Sequence, residues 1–267
     1  MTAPATKLRF EQVTKTFPLP AATADGTTRF AALARLSLEV RAGEILALVG
    51  PSGCGKSTLL DLAAGLTRPC SGAILIDGQP VQGPGPDRSV VFQQYALFPW
   101  LTALANVEFG LEAAGVARAH RRERARHFLA LVGLAGFADR YPHQLSGGMK
   151  QRVAIARSLA TDPQVLLMDE PFGALDAQVR ELLQEELLRI WQETGKTIVF
   201  ITHSIDEALV LGQRVAVMGA RPGRITELID IPFSFAERVG DLRSHPRFGA
   251  LRHHVWSQLR HNAAAAA

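Results

Sequence analysis

The 267-residue sequence predicts an α/β fold interrupted by a helical insertion. Three observations predict it. Short, wholly apolar runs such as "ILALV", "VLLM" and "IVFI" alternate with helical patterns near both ends of the chain. A glycine-rich stretch, "GPSGCGKS" (50–57), stands between one such run and a helix. Between residues 95 and 162 the strand patterns give way to apolar residues at helical spacing.

The elements follow in order. "KLRFEQVTKTF" alternates apolar and polar residues and reads as an edge strand. Residues 18–29, "PLPAATADGTTR", read as a loop from their Pro, Gly and Thr content. "ARLSLEVRAGEILALVG" gives a strand, a turn at Ala42–Gly43 and a buried strand ending at Gly50. "KSTLLDLAAGL" is a helix, "GAILIDG" a strand ending at Asp77–Gly78, and "SVVFQQ" (89–94) a short buried strand. Helical spacing then runs from Val107 to Leu111 and from Phe128 to Leu134. After Pro163, "VLLMDE" and "TIVFITHS" are buried strands joined by the amphipathic helix "VRELLQEELLRIWQETG". "RVAVMG" and "GRITELIDIP" are the last strands, and "RFGALRHHVWSQLR" is a C-terminal helix. No internal repeat is present, which predicts one unit rather than two in tandem.

Composition narrows the class. Hydrophobic residues make up 47% and charged residues 20%, an ordinary globular balance. No apolar run is long enough to span a membrane, and the start "MTAPATKLRF" lacks the apolar core of a secretory signal. Two cysteines, Cys54 and Cys70, make neither a disulfide framework nor a metal cluster, so a reducing cytoplasm is expected. The net charge of +4 fits a mildly basic surface, and no nucleic-acid partner is expected. The basic run "ARAHRRERARHF" (117–128) reads as a solvated helix face, and the closing alanine run is given no function.

"GPSGCGKS" fits G-x-x-x-x-G-K-[ST] at every fixed position, after a buried strand and before a helix. In that context Gly50, Pro51, Ser52, Gly53, Cys54, Gly55, Lys56, Ser57 and Thr58 are expected to bind ATP. Backbone N–H groups wrap the phosphates, Lys56 reaches the β- and γ-phosphates, and the Ser57 hydroxyl ligates Mg²⁺. "QVLLMDE" ends a buried strand in two carboxylates. Asp169 is expected to hold the metal, and Glu170 to accept a proton from the attacking water.

A second serine- and glycine-led helix start, "LSGGMKQR" (145–152), has no lysine placed like Lys56. Leu145-Ser146-Gly147-Gly148 followed by Gln151-Arg152 resembles the signature motif of ATP-binding cassette (ABC) proteins. The resemblance implies an ABC-type P-loop nucleotide-binding domain with a RecA-like core, an antiparallel β-subdomain and an inserted α-helical subdomain. It implies an ATP-binding core over 7–94 and 163–235, a helical subdomain over 95–162, and a C-terminal tail over 236–267. It also implies a head-to-tail dimer, in which Ser146, Gly147 and Gly148 of one subunit close over ATP held by the other. Further residues are carried over from the family. Gln93, directly after "VVF", matches the glutamine that contacts Mg²⁺ and water and senses the transmembrane subunit. Asp176 matches an aspartate that crosses the dimer interface, His203 the histidine that contacts the γ-phosphate, and Phe17 an aromatic residue stacked on adenine. The resemblance departs at Ser204, where the family usually has Asp; hydrolysis is expected to survive, and the local hydrogen bonding is left open by the sequence.

What the ATP drives is read from what separates the motifs. Chromosome-organising ATPases of this superfamily place a long coiled coil there, and this chain has no sustained heptads. The translation factors carry two cassettes per chain, and a small-molecule kinase has no use for a signature motif. A transport ATPase is therefore expected. "GPGPDRSVVFQQYALFPWLTALANVEFGL", "RPGRI" and the ending "SHPRFGALRHHVWSQL" are similar to the nitrate/sulfonate/taurine group of bacterial importers. That resemblance implies uptake of a small anion, taurine or another sulfonate ahead of nitrate. It implies two such ATP-binding subunits, expected to be identical, a permease dimer, and indirectly a periplasmic solute-binding protein. The chain is then peripheral, on the cytoplasmic face of the inner membrane. The helical insertion, including Tyr95 to Leu101, is the expected permease contact, and "ALFPWL" within it is apolar enough for a partner surface.

Overall fold

A computed structural model describes residues 5–19, 28–220 and 222–264 of the chain, the side chains of residues 263 and 264 excepted. In chain order the elements are β1 (Thr6–Pro18), β2 (Arg29–Arg41), β3 (Ile45–Val49), α1 (Lys56–Ala64), β4 (Ser71–Ile76), β5 (Gln79–Pro80) and β6 (Arg88–Val91). There follow α2 (Ala103–Ala113), α3 (Arg118–Leu131), α4 (Gly147–Ala160), β7 (Val165–Asp169), α5 (Ala177–Thr194) and β8 (Thr197–Ile201). The chain ends with α6 (Ile205–Leu211), β9 (Arg214–Gly219), β10 (Arg224–Asp230), α7 (Phe235–Val239) and α8 (Pro246–Ala264). They fall into two compact units, one of residues 1–85 with 197–267, the other of residues 86–196.

The first unit holds two layers of strands. One is an antiparallel sheet in the order β2-β1-β4-β5. In the other, β3 pairs in parallel with both β8 and β9, and β10 adds antiparallel to β9. Every residue of β3, β8 and β9 is buried, which is why β3 is apolar throughout and β8 and β9 are apolar but for Thr197 and Arg214 at their starts. Each large aliphatic side chain buried there contributes about 1.5–3 kcal/mol. The start of β3 is fixed by a buried ion pair: Arg214 Nε donates to Glu44 Oε2 at 2.9 Å, and Arg214 Nη2 to the carbonyl of Glu39 at 2.7 Å.

Two expectations are corrected here. β1 is not an edge strand: it lies between β2 and β4 and pairs with both. Its alternation reports one solvated face, which an interior strand of a one-sided antiparallel sheet has as much as an edge strand does. "SVVFQQ" is strand only to Val91, and among β6 residues only Val91 is buried. The loop expected over 18–29 lies mainly outside the described residues; its ends, Pro18 and Arg29, close β1 and open β2.

The second unit builds on β6 and β7, which pair in parallel, and on four helices. α2, α3 and α4 pack on one another and α4 packs on α5. Their buried faces are Leu104, Val107 and Leu111 of α2, Ala125 and Leu129 of α3, Val153, Ile155 and Leu159 of α4, and Leu183, Leu187 and Ile190 of α5. The basic run lies on the first part of α3, whose only buried residues are Ala125 and Leu129, as a solvated face requires. Asp176 caps α5 by accepting from the Val179 amide at 3.0 Å, and Gly195 closes it in the left-handed region.

Candidate functional site

The candidate residues divide between the units. Phe17, residues 50–58 and His203 belong to the first; Gln93, residues 146–148, Asp169, Glu170 and Asp176 belong to the second.

In the first unit the glycine-rich loop joins buried β3 to α1, the context the sequence pattern demands. Gly55 is the N-cap of α1 with φ 98°. A Cβ there would stand 2.8 Å from Leu33 Cδ2 and 3.0 Å from the Ala32 carbonyl, so conformation and space both require glycine. The Lys56 ammonium, 8% exposed at the residue level, donates to the carbonyls of Gly50 at 2.7 Å and Pro51 at 3.1 Å. Ser52, Gly53 and Ser57 are exposed around it and Thr58 is half-buried. The Cys54 thiol is buried beneath the loop, and burial pushes its pKa up. Both cysteines are free thiols.

Phe17, the last residue but one of β1, pairs with Phe30 of β2 and is 39% exposed. Its ring has the Lys15 ammonium 5.1 Å from the centroid, and that ammonium also donates to Thr67 Oγ1 at 2.6 Å. It is thus a surface aromatic face held in place by a lysine rather than a core side chain.

His203 is exposed in the turn between β8 and α6. Ser204, next to it, is the N-cap of α6: its Oγ accepts from the Glu207 amide at 3.3 Å, and its own amide donates to Thr202 Oγ1 at 3.0 Å. Serine and aspartate are nearly equivalent at an N-cap, so Ser204 supplies the hydrogen bond that an aspartate gives there. Ser204→Ala should lower stability by about 1 kcal/mol in urea unfolding, and Ser204→Asp should leave it within about 0.5 kcal/mol of wild type.

The other end of α6 rests on Arg238 of α7, which is 3% exposed. Its guanidinium donates to the carbonyls of Leu209 (3.1 Å), Val210 (2.8 Å), Ile231 (3.2 Å) and Phe233 (3.0 Å). Burial draws its pKa down to about 10, which still leaves it charged at neutral pH. Arg238→Met removes the donor from four carbonyls at once and should cost about 3 kcal/mol in urea unfolding.

In the second unit β7 delivers Asp169 and Glu170 to its C-terminal end, both half-buried. Glu170 has φ 45°, a left-handed conformation rare outside glycine. The turn closes with the Gly173 amide donating to the Glu170 carbonyl at 3.1 Å. The point where a Cβ on Gly173 would sit is 3.4 Å from Gln93 Nε2 and 3.8 Å from Glu170 Oε2. The Gln93 amide and the Glu170 carboxylate thus both border Gly173.

Ser146 is the N-cap of α4, its Oγ accepting from the Met149 amide at 3.3 Å. That use as acceptor leaves the hydroxyl proton for another partner. Gly147 is half-exposed at the helix start, but Gly148 is buried, and a Cβ on it would lie 2.5 Å from Val179 Cγ1 of α5. Gly148 is thus demanded by close packing of α4 on α5, besides any part in anion binding. Gln151 is fully buried on α4, and Arg152 pairs with Glu186 at 3.2 Å. Nothing in the local pattern singles out Arg157, yet it donates to the carbonyls of Tyr95 and Ala96, two and three residues after Gln93. No other sequence signal marks it, because the contact spans about sixty residues.

Trp100 is 70% exposed and Phe109 46%, with the Phe98 ring 5.6 Å and 4.4 Å from theirs. Among the described residues no helix is long and apolar enough to cross a membrane.

The family model described as ABC transporter matches residues 33–173. The chain is 56% identical over 225 residues to an uncharacterized ABC transporter ATP-binding protein of Methanocaldococcus jannaschii, covering 84% of this chain and 82% of the relative. It is 52% identical over 231 residues to the taurine import ATP-binding protein of Pseudomonas entomophila, covering 85% and 89%. Among solved structures, a dimeric ATP-binding cassette in a post-hydrolysis state with ADP and Pi matches with a TM-score of 0.72 and 35% identity, over 85% of this chain and all of that one. The chain belongs to the ABC transporter family, as a transport ATPase of the group that holds the taurine and sulfonate importers.

Proposed function

We propose that this chain energises uptake of taurine or another sulfonate, hydrolysing ATP to ADP and phosphate in a dimer bound to a membrane permease. The observation that carries the ATPase reading is the pair of helix starts built in one chain. One is the lysine-bearing loop before α1, and the other is the Ser146 cap of α4, which has no such lysine. Each is an anion-binding device, and a head-to-tail dimer gives both a use on the same nucleotide.

In this reading Lys56 and the amides of residues 50–58 bind the phosphates, and the exposed Phe17 face receives adenine. Glu170 accepts a proton from the attacking water as its oxygen bonds to the γ-phosphorus and the bond to the β-phosphate oxygen breaks. His203 and the partner subunit's copy of the 146–148 loop steady the γ-phosphate, and Asp176 meets the dimer partner. The Ser57 hydroxyl, the Gln93 amide oxygen and the Asp169 carboxylate are oxygen donors of the kind Mg²⁺ takes, and they would hold it. When bound, that ion neutralises phosphate charge. We assign the ATP-binding core to 7–94 and 163–235, the helical subdomain to 95–162, and a tail to 236–267; α2, α3 and α4 lie wholly within the second range. Trp100 and Phe109, with half-buried Phe98 between them, offer an exposed aromatic surface for the permease. The assembly places the chain peripherally on the cytoplasmic face of the inner membrane, with the periplasmic solute-binding protein across it.

The sulfonate assignment is supported by several taurine import ATP-binding proteins at 48–54% identity. The test is ATPase activity of the lipid-embedded complex, with each solute added on its binding protein: taurine, a linear alkanesulfonate, nitrate, and a sugar as control. Stimulation by a sulfonate alone is the expected result. Stimulation by nitrate alone would move the solute class, and a flat response with basal hydrolysis intact would overturn the sulfonate assignment and send the search to the family's other substrates or to a non-import role.

A further inference from the structure

Two consecutive residues after the Gln93–Gln94 pair, Tyr95 (φ 57°) and Ala96 (φ 46°), adopt the left-handed conformation. L-residues avoid it because Cβ crowds the carbonyl oxygen. Such a turn persists only where its surroundings hold it. Here the holder is Arg157, on the last turns of α4. Its Nη1 donates to the Ala96 carbonyl at 2.6 Å and its Nη2 to the Tyr95 carbonyl at 3.1 Å. A planar guanidinium fork suits two adjacent carbonyls in a way that a lysine ammonium does not. The Arg157 guanidinium also lies 5.9 Å from the Phe98 ring centroid.

The gripped turn is connected in two directions. Toward the N-terminus it carries Gln93, whose amide borders Gly173 as the Glu170 carboxylate does, 3.4 and 3.8 Å from where a Gly173 Cβ would stand. Sideways, the Tyr95 hydroxyl lies 3.1 Å from where a Cβ on Gly147 would stand, at the first residue of α4. A single helix thus touches the same turn near both of its own ends.

We infer that Arg157 is a positioning residue: it locks the left-handed turn at Tyr95–Ala96, so that Gln93 is held against Gly173, in the turn that follows Glu170, and moves as one piece with the helix that Ser146 caps. This rests on the roles proposed above for Gln93 and Glu170.

The test uses the purified full chain, with kcat and KM for ATP measured on wild type, Arg157→Lys, Ala96→Gly, Gln93→Ala and the two doubles that combine Arg157→Lys with each of the others. Arg157→Lys keeps the charge but loses the fork. It lowers kcat about tenfold, the effect of one lost charge-assisted hydrogen bond, with KM within about twofold. Adding Ala96→Gly restores most of that loss, because glycine takes the left-handed turn unaided; Ala96→Gly alone changes kcat by less than about twofold. In the Gln93→Ala background, Arg157→Lys has no further effect, the signature of two residues acting as a unit. Hydrogen exchange without nucleotide gives a readout independent of turnover. The Ala96 amide exchanges faster in Arg157→Lys, while the Phe98 amide, bonded to Asn106 Oδ1 at 2.8 Å, does not. Wild-type kcat in Arg157→Lys would overturn the inference. So would a loss that Ala96→Gly fails to restore and that adds in full to Gln93→Ala. Wild-type kcat in Gln93→Ala would instead overturn the Gln93 assignment itself, and this inference with it.

Discussion

Glu170→Gln should lower ATP turnover by about 10²–10⁴-fold, the range that a positioned general base contributes, while ATP binding stays within a few-fold of wild type. The two side chains have the same shape, so the turn after β7 is preserved, and with it the unusual backbone of Glu170 at φ 45°. What changes is chemistry: an amide accepts a hydrogen bond but not a proton. The phosphate-binding parts belong to other residues, Lys56 and the loop before α1, so affinity has no reason to follow turnover down. With hydrolysis blocked and binding intact, the ATP-bound dimer should accumulate and be seen by size-exclusion chromatography with ATP and Mg²⁺. The same variant without nucleotide should remain monomeric. Rapid turnover by Glu170→Gln would remove Glu170 as the base and return the role to another carboxylate.

The parts of this site that were legible in the sequence are those set by local rules. β3, the loop and α1 announce themselves because a fully buried parallel strand is a plain apolar run, and the turn after it must carry glycines. Asp169–Glu170 stand out because two carboxylates end a buried strand. Local rules fail where an element is short or its neighbours decide. The sequence reading passes over α6 and α7, of seven and five residues, because so few turns leave no periodicity to detect; Ser204 and Ser234 as caps were the available signals. The place of β1 inside its sheet is decided by β4, more than fifty residues further on.

Buried polar side chains were the least legible. Asn106 of α2 is fully buried and satisfied: its Oδ1 accepts from the Phe98 amide, and its Nδ2 donates to the carbonyls of Phe98, Leu101 and Thr102. Arg157 and Arg238 likewise act on carbonyls of distant or irregular backbone. Loops have no ladder to satisfy their own polar groups, so a folded chain recruits side chains from elsewhere to do it. Composition and periodicity carry no trace of such recruitment. Gly148 shows the converse: its place in the motif suggests anion binding, yet the contact with Val179 demands glycine for packing as well. One residue can answer to both demands, and only the folded chain exposes the second.

Lys56→Ala should weaken ATP binding by about 100-fold or more, roughly 2.7 kcal/mol, the scale of a charge-assisted contact to phosphate. Unlike Glu170→Gln, it should lower affinity and turnover together. The loop carbonyls of Gly50 and Pro51 hold the ammonium at 2.7 and 3.1 Å, so the cation sits at the mouth of the loop already oriented and desolvated. Pre-organisation of this kind reduces what binding must spend on ordering the side chain. Substitution by alanine also leaves the two carbonyls facing the phosphates, which sets acceptor against anion where a donor stood before. Folding should lose about 1 kcal/mol, because two loop carbonyls lose their donor while β3 and the apolar face of α1 stay packed. The check is nucleotide titration by calorimetry beside a urea melt of the same preparation. Unchanged affinity in the folded variant would mean that the loop binds through its backbone amides alone, and Lys56 would have to be reassigned to turnover.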